Sequence, residues 1–541
     1  MLSVKPALFL TFLLLLLSSF SSHAVREIKL PKVAETSFLF IENLADDNYF
    51  VSPLGLLDPR MTGANRWTHI KDSTHQQSLG YVNDYFNQIV PANNNLDMWI
   101  DDSPINSPLT GLRCIYWYAG CNDSSLISPQ ATDKLGFYHA TSTSGGLKWN
   151  HGMMSESFYQ YLLQMPVGDK LVFKLNSCWT TADYDASVGE RCKDQSRGSW
   201  YSRVVTHRKG AHLNIINNDS LIEVFISSDG VPTLGENSGD CFNLTLNGNT
   251  SIACKMVSYK LTTSSASNTS IHIFPAINNP ALDKVLANDD IYFSLDKNNW
   301  KNMSGSSYYT FNDLKKSDSI YIFFTTNFFQ KLIKQGLINS VTRDLFDFRF
   351  YNTVSAESGW YEFSSSTNMI IKPRNFSASI ISDDHLEHVY KRGEVGHGQS
   401  AIDFGYYVST SGKTAADEVL IKVSGPGRVI NGRWYCIFSS SDNSFSVPFP
   451  AVMSYQLSNG NTTEYDVGCN DQWHNITDAL WTSTPWNDPY GEVGTINKTH
   501  VNFKILMDDP ISLRTTHNLF WWGEVNASGQ INIKATWHNE P

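Results

Sequence analysis

The sequence predicts an all-β fold of immunoglobulin-like β-sandwich modules, a large N-terminal region followed by one C-terminal sandwich. Three observations predict it. Apolar residues alternate with polar ones over many short runs, the pattern of strands with one buried face. Turn clusters rich in Gly, Asn and Ser separate those runs at close spacing. Runs with the 3.6-residue period of a helix are few. Composition agrees: of 541 residues, 41% are hydrophobic and 17% charged, enough apolar surface to offset the entropy of ordering the chain. A formal charge of −11 repels phosphate backbones, so no nucleic acid is expected among the partners.

Taken in order, the chain opens with a targeting signal. Lys5 supplies a positive start, an apolar run covers 7–17, and Ser22-His23-Ala24 offers small residues on either side of a bulkier one. The run is too short to cross about 30 Å of hydrocarbon, so residues 1–24 read as a signal peptide and the remainder as exported. In Val25 to Val33, Ile28 and Leu30 alternate with Glu27 and Lys29. This reads as an ordinary first strand; self-polymerisation, with the arm donated to another copy, is the rival role. Helices are expected over Glu156 to Leu163, with Phe158, Leu162 and Leu163 on one side, and over Asn327 to Gln335, stopped by Gly336. Ser270 to Phe274 alternates as a strand. A boundary falls near 365–380, so 25–375 form the N-terminal region, as one unit or two β modules, and 376–541 the C-terminal one. Glu418 to Val423 and Val501 to Met507 alternate in that second region. So does Gln530 to Trp537, with Ile531, Ile533, Ala535 and Trp537 on one face.

Eight cysteines fit an oxidising compartment. They allow 105 pairings, but spacing suggests neighbours: Cys114 with Cys121, Cys178 with Cys192, Cys241 with Cys254, and Cys436 with Cys469. No C-x-x-C occurs, and one His474 near Cys469 is a weak zinc signal, so no metal is expected. Ser411-Gly412-Lys413-Thr414 has Tyr407 where a phosphate loop needs glycine. His385 and His388 beside Asp383 and Asp384 read as a solvated loop rather than a metal site. Gly396 to Ser400 is not a nucleophile elbow. No catalytic residue and no cofactor is therefore expected.

Aromatic residues are the better functional signal. Tyr116, Trp117 and Tyr118 sit in the short loop between Cys114 and Cys121, and rigid rings make good binding anchors. Filling of the core below the loop is the plainer use. Trp481 to Trp486 and Phe520-Trp521-Trp522 read as core. The last alternating strand lies four residues from the end of the sequence. If no further strand of this chain follows it, one sheet edge stays open and a partner can complete it. A complete sandwich is the plainer reading from periodicity alone.

Longer runs carry a resemblance. They are Asp58-Pro59-Arg60-Met61-Thr62-Gly63-Ala64-Asn65-Arg66-Trp67-Thr68, the stretch from Ser107 to Cys121, DGVPTLGE at 229–236, SNTSIHIFPAI at 267–277, SGWYEF at 358–363 and TSGKTAADEVLIKV at 410–423. In these the chain resembles the tip adhesins of the bacterial common pilus, which an alternate chaperone–usher pathway assembles. The resemblance implies a non-enzymatic fimbrial adhesin at the cell surface, active in host-cell recognition and biofilm formation. It implies as partners the major pilin, joined by donor-strand complementation, a periplasmic chaperone and outer-membrane usher, and a host or abiotic surface receptor, a glycan among the candidates. The rival function is a secreted glycan-active enzyme with a β-sandwich appendage; it needs a carboxylate pair that nothing in the sequence singles out.

Overall fold

The strand Thr36–Asn43 carries an unbroken apolar run, Phe38-Leu39-Phe40-Ile41, because both of its faces are covered. Phe38 and Phe40 join Tyr49 and Val51 in one core. Leu39 and Ile41, pointing the other way, join Phe50 in a second core. In this computed structural model the described residues are 24–538, except 45–46, 56–60, 67–69, 73–74, 77–78, 84–89, 114–125, 143–150, 228–229, 235–238, 339, 355–359, 387 and 488–492.

One long strand ties the two cores together. Ser199–Ile216 pairs antiparallel with Lys170–Thr180 along its first half and with Asn249–Thr263 along its second, and parallel with Thr36–Asn43. Its Val205 enters the first core; its Ala211, Leu213 and Ile215 enter the other. The first core is closed by Asn95–Asp101, Gly136–Thr141 and the helix Glu156–Gln164. The second is closed by the sheet of Ile271–Ile277, Phe346–Asn352 and Trp360–Phe363 and by the helix Thr326–Lys334. Both helices lie within one residue of the sequence expectation. Each begins at a hydroxyl cap, Ser155 accepting from the Phe158 N–H and Thr325 from that of Phe328, both at 3.2 Å. The buried Lys209 Nζ donates to the carbonyls of Leu162, Leu163 and Met165 and so anchors the end of the first helix.

A third core, around Val408, Ile421, Phe449 and Val501, belongs to the C-terminal residues. Besides the small sheet Gly427–Ile430, Arg433–Ser439, Ser446–Phe449, which supplies Phe449, two sheets enclose it. One is ordered Ser377–Ser382, Ile402–Gly412, Val493–Ile505, Ala451–Gln456, Thr462–Asp466, with Thr482–Asn487 also on Val493–Ile505. The other is ordered His474–Asn475, Glu418–Ser424, Gln530–Thr536. Among the described residues three disulfides are formed, Cys178–Cys192, Cys241–Cys254 and Cys436–Cys469. The pair Cys114 and Cys121 lies outside the described residues.

One expectation is met in its plainer form, and one meets a different structure. The N-terminal arm is paired within its own chain: Glu27–Lys29 runs parallel to Trp200–Ser202, the Val25 N–H donates to the Lys193 carbonyl at 3.0 Å, and Glu27 meets Lys174 at 2.8 Å. The ordinary first strand is what the arm forms. The tryptophan-rich segments do not behave alike. Trp486 is buried and Trp481 and Trp521 are half-buried, but Phe520 is 80% and Trp522 91% exposed. Trp521 anchors that loop, its Nε1 donating to the Ser512 carbonyl at 2.9 Å, and its neighbours in sequence point outward.

Candidate functional site

Two of the three sheets of the C-terminal module end in edge strands that lie side by side, with no ladder between them among the described residues. Among the described residues, Ser377–Ser382 pairs only with Ile402–Gly412, and Gln530–Thr536 only with Glu418–Ser424. Between them runs a groove of about 830 Å³, lined by Ile380, Phe404, Tyr406, Val423, Phe503 and Ile531. These side chains come from the inward faces of alternating strands, so they belong to the core and yet border a gap. Burial, with Asp383 and Asp384 nearby, raises the Tyr406 hydroxyl above its ordinary value.

The ends of the groove differ. At one end Phe376 closes against Trp537, ring centroids 5.6 Å apart, and Trp537 Nε1 donates to the Thr414 carbonyl at 3.2 Å. At the other end the groove passes into a second cavity of about 650 Å³ between 389–395 and 521–527, floored by Phe404, Phe438, Ile505 and Met507. The Cys436–Cys469 disulfide borders the groove and holds the turn after Ser424 in place. That turn is tight: a Cβ on Gly427 would stand 2.5 Å from the Cys469 carbonyl oxygen.

The sequence-derived residues fall as follows. Ile531 lines the groove; Ile533 and Ala535 are half-buried against the third core and sit opposite Ile421 and Val419; Trp537 seals the closed end. Tyr116, Trp117 and Tyr118 lie outside the described residues. Sequence reasoning missed the opposite bank. The signal was present, since Ile402, Phe404 and Tyr406 alternate with Asp403 and Gly405. His385 and His388 clamp the C-terminal module to the strand Ser220–Ile226: the His385 carbonyl accepts from the Leu221 N–H at 2.7 Å, and the His388 N–H donates to Asp219 at 2.8 Å. Asp383 is paired with His500 at 2.9 Å. Among the described residues no group of three or more His, Cys, Asp or Glu side chains could hold a metal ion. Ser411 and Gly412 lie within a strand, and the Ser411 hydroxyl donates to the Arg374 carbonyl at 2.5 Å.

That clamp is one part of a wider contact between the strand Ser220–Ile226 and the C-terminal module. Phe225, Trp486 and Ile496 form a small apolar cluster, and the Arg374 guanidinium lies 4.9 Å from the Trp486 ring. Between these two ends Glu223 is buried. Burial pushes its carboxyl up to about 7, against the pull of Lys498 and Lys372 and a hydrogen bond from Ser409.

Three family models match in succession: the E. coli common pilus adhesin EcpD N-terminal domain over 25–213, the EcpD middle domain over 217–368 and the EcpD C-terminal domain over 375–535. The chain belongs to the EcpD family of common pilus adhesins. It is 57% identical over 508 residues to the fimbria adhesin EcpD of Escherichia coli O157:H7, 93% of each chain being covered, and equally to that of strain K12. A solved chaperone–tip adhesin pre-assembly complex, CsuC–CsuE of Acinetobacter baumannii, is 11% identical with a TM-score of 0.18, covering 58% of this chain and 97% of that chain; a likeness of that size carries no argument. As an EcpD-type protein the chain is a non-enzymatic fimbrial adhesin exported to the cell surface, and the glycan-active enzyme finds no support among these relatives.

Proposed function

We propose that residues 376–541 form a pilin-like module whose groove accepts a β-strand from the major pilin, and that this joint seats residues 25–375 at the fibre tip facing the receptor. The single observation that supports the reading most is the pair of edges, Ser377–Ser382 and Gln530–Thr536, flanking a gap lined with core side chains. An unpaired edge beside exposed apolar side chains is costly in water. A donated strand offsets both at once: its backbone bonds to the Gln530–Thr536 edge, and alternate side chains fill the gap above Phe404 and Phe503. Before assembly the same edge has to be covered, a task for a periplasmic chaperone, with the usher as the site of exchange. Receptor contact with a host or abiotic surface, a glycan among the candidates, then falls to the N-terminal region. The aromatic loop of Tyr116, Trp117 and Tyr118 is its first candidate, and biofilm formation is the cellular outcome.

The test is thermal unfolding of the full chain with a peptide from the N-terminal extension of the major pilin. A ligand of the native state stabilises by about 2.7 kcal/mol at a hundredfold excess over its Kd. A melting temperature that rises with peptide concentration is expected; one that stays fixed up to millimolar peptide refutes the reading.

A further inference from the structure

The loop that leads into the strand Gln530–Thr536 holds three large apolar side chains in water. Leu519 is 65%, Phe520 80% and Trp522 91% exposed. This is an ordered loop. Asp509 caps the short turn Pro510–Leu513, the Thr515 N–H donates to the Leu519 carbonyl at 2.8 Å, and Arg514 and Phe520 form a β-bridge with the guanidinium 4.2 Å over the ring. The Trp521 indole bond to Ser512 and the backbone pairing of Asn526 with Ser439 fix its far side. Tyr390, 73% exposed, stands on the other rim of the second cavity, hereafter the lower cavity. Ordered aromatic groups kept in water mark a protein contact, since they present large area with few torsions left to freeze.

The groove says which protein. This step rests on the strand-acceptor reading above. A donated strand is covalently tied to the folded body it comes from, and that tether must leave the groove at an open end. The Phe376–Trp537 contact shuts one end, beside the Phe225–Trp486–Ile496 cluster that binds the preceding module. The other end is continuous with the lower cavity, both being lined by Tyr390, Phe404, Phe438 and Ile505. The tether therefore exits past Ala527 and between the two rims. We infer that the rim of Leu519, Phe520 and Trp522, with Tyr390 opposite, is the docking face for the folded body of the subunit whose strand fills the groove. The partner surface it fits is an apolar patch next to the root of that subunit's N-terminal extension. The donated strand gives the joint its hold, and the rim sets the angle and stiffness between the adhesin and the fibre.

The experiment compares the full chain with its Phe520→Ser/Trp522→Ser variant, and with Trp522→Glu alone in case the double variant folds poorly. Three probes are used: the isolated extension peptide, the intact pilin subunit, and the chaperone. Peptide affinity unchanged within twofold, with affinity for the intact subunit lowered at least tenfold, is the expected result. Equal affinity of variant and parent for the intact subunit overturns the inference. A loss confined to the chaperone also overturns it and gives the rim to the chaperone. A peptide that fails to bind even the parent chain removes the groove reading itself, and this inference with it.

Discussion

Replacing Glu223 by Gln removes one titrating group from the contact between the strand Ser220–Ile226 and the C-terminal module, and its effect has a sign fixed by the structure. In the folded chain burial holds the Glu223 carboxyl at about 7, against an ordinary value of 4.5. Lys498 and Lys372 pull it down without overcoming that, and burial likewise lowers the Lys372 ammonium. A carboxyl raised on folding binds its proton more tightly in the folded state. Between pH 4.5 and 7 the folded chain thus holds more protons than the unfolded one, and this site's contribution to stability falls as pH rises through that window. Each tenfold step in proton affinity is about 1.4 kcal/mol, so the full effect is on the order of 3 kcal/mol. Gln keeps the shape of the protonated acid and cannot ionise. Urea unfolding of parent and Glu223→Gln chains from pH 4.5 to 8 measures the difference. The variant should match its parent near pH 4.5 and gain on it steadily, by a few kcal/mol at pH 8 in the transition that separates or unfolds the C-terminal module. A difference that stays constant across the range refutes the burial argument; one that favours the parent at high pH means that the Glu223 charge is satisfied by the two lysines.

Trp486→Ala empties the cluster with Phe225 and Ile496 and takes away the ring under Arg374, so it should destabilise the joint by about 3 kcal/mol. Limited proteolysis should then cut near 374–376 faster than in the parent, and an unchanged cutting rate would count against a packed joint. Lys209→Met leaves the three helix-end carbonyls of Leu162, Leu163 and Met165 without their donor. A loss of about 2–4 kcal/mol in the unfolding of the first core is expected, read from its urea midpoint; a neutral result would mean that the helix end is held by packing alone.

Local pattern made much of this fold legible. The alternation in Gln530 to Trp537 predicts the strand and its inward face, and the structure sets Ile531, Ile533 and Ala535 opposite Val423, Ile421 and Val419. Helix boundaries held to one residue because the apolar spacing of Phe158, Leu162 and Leu163 in the first helix, and the stop at Gly336 after the second, mark them. What the pattern could not carry was the covering of a second face by a distant module. Glu223 lies in step with Leu221 and Phe225, and only the apposed C-terminal sheet makes that face an interior. Phe520 and Trp522 misled for the converse reason. An aromatic run signals burial by type, but one half-buried indole, Trp521, suffices to anchor this loop, and its neighbours are left outside. The bank of Ile402, Phe404 and Tyr406 shows plain alternation; that it borders a gap depends on which strands are neighbours, and single-chain periodicity holds no record of that.

Amide hydrogen exchange at 377–382 and 530–536 addresses the open edges most directly, measured on the full chain with and without the pilin extension peptide. An acceptor groove predicts fast exchange at the outward-facing amides of both segments in the free chain, and strong slowing in at least Gln530–Thr536 at saturating peptide, while the inner strand Ile402–Gly412 stays protected throughout. Edge amides already as protected as that inner strand without peptide, or unchanged at saturation, would contradict it.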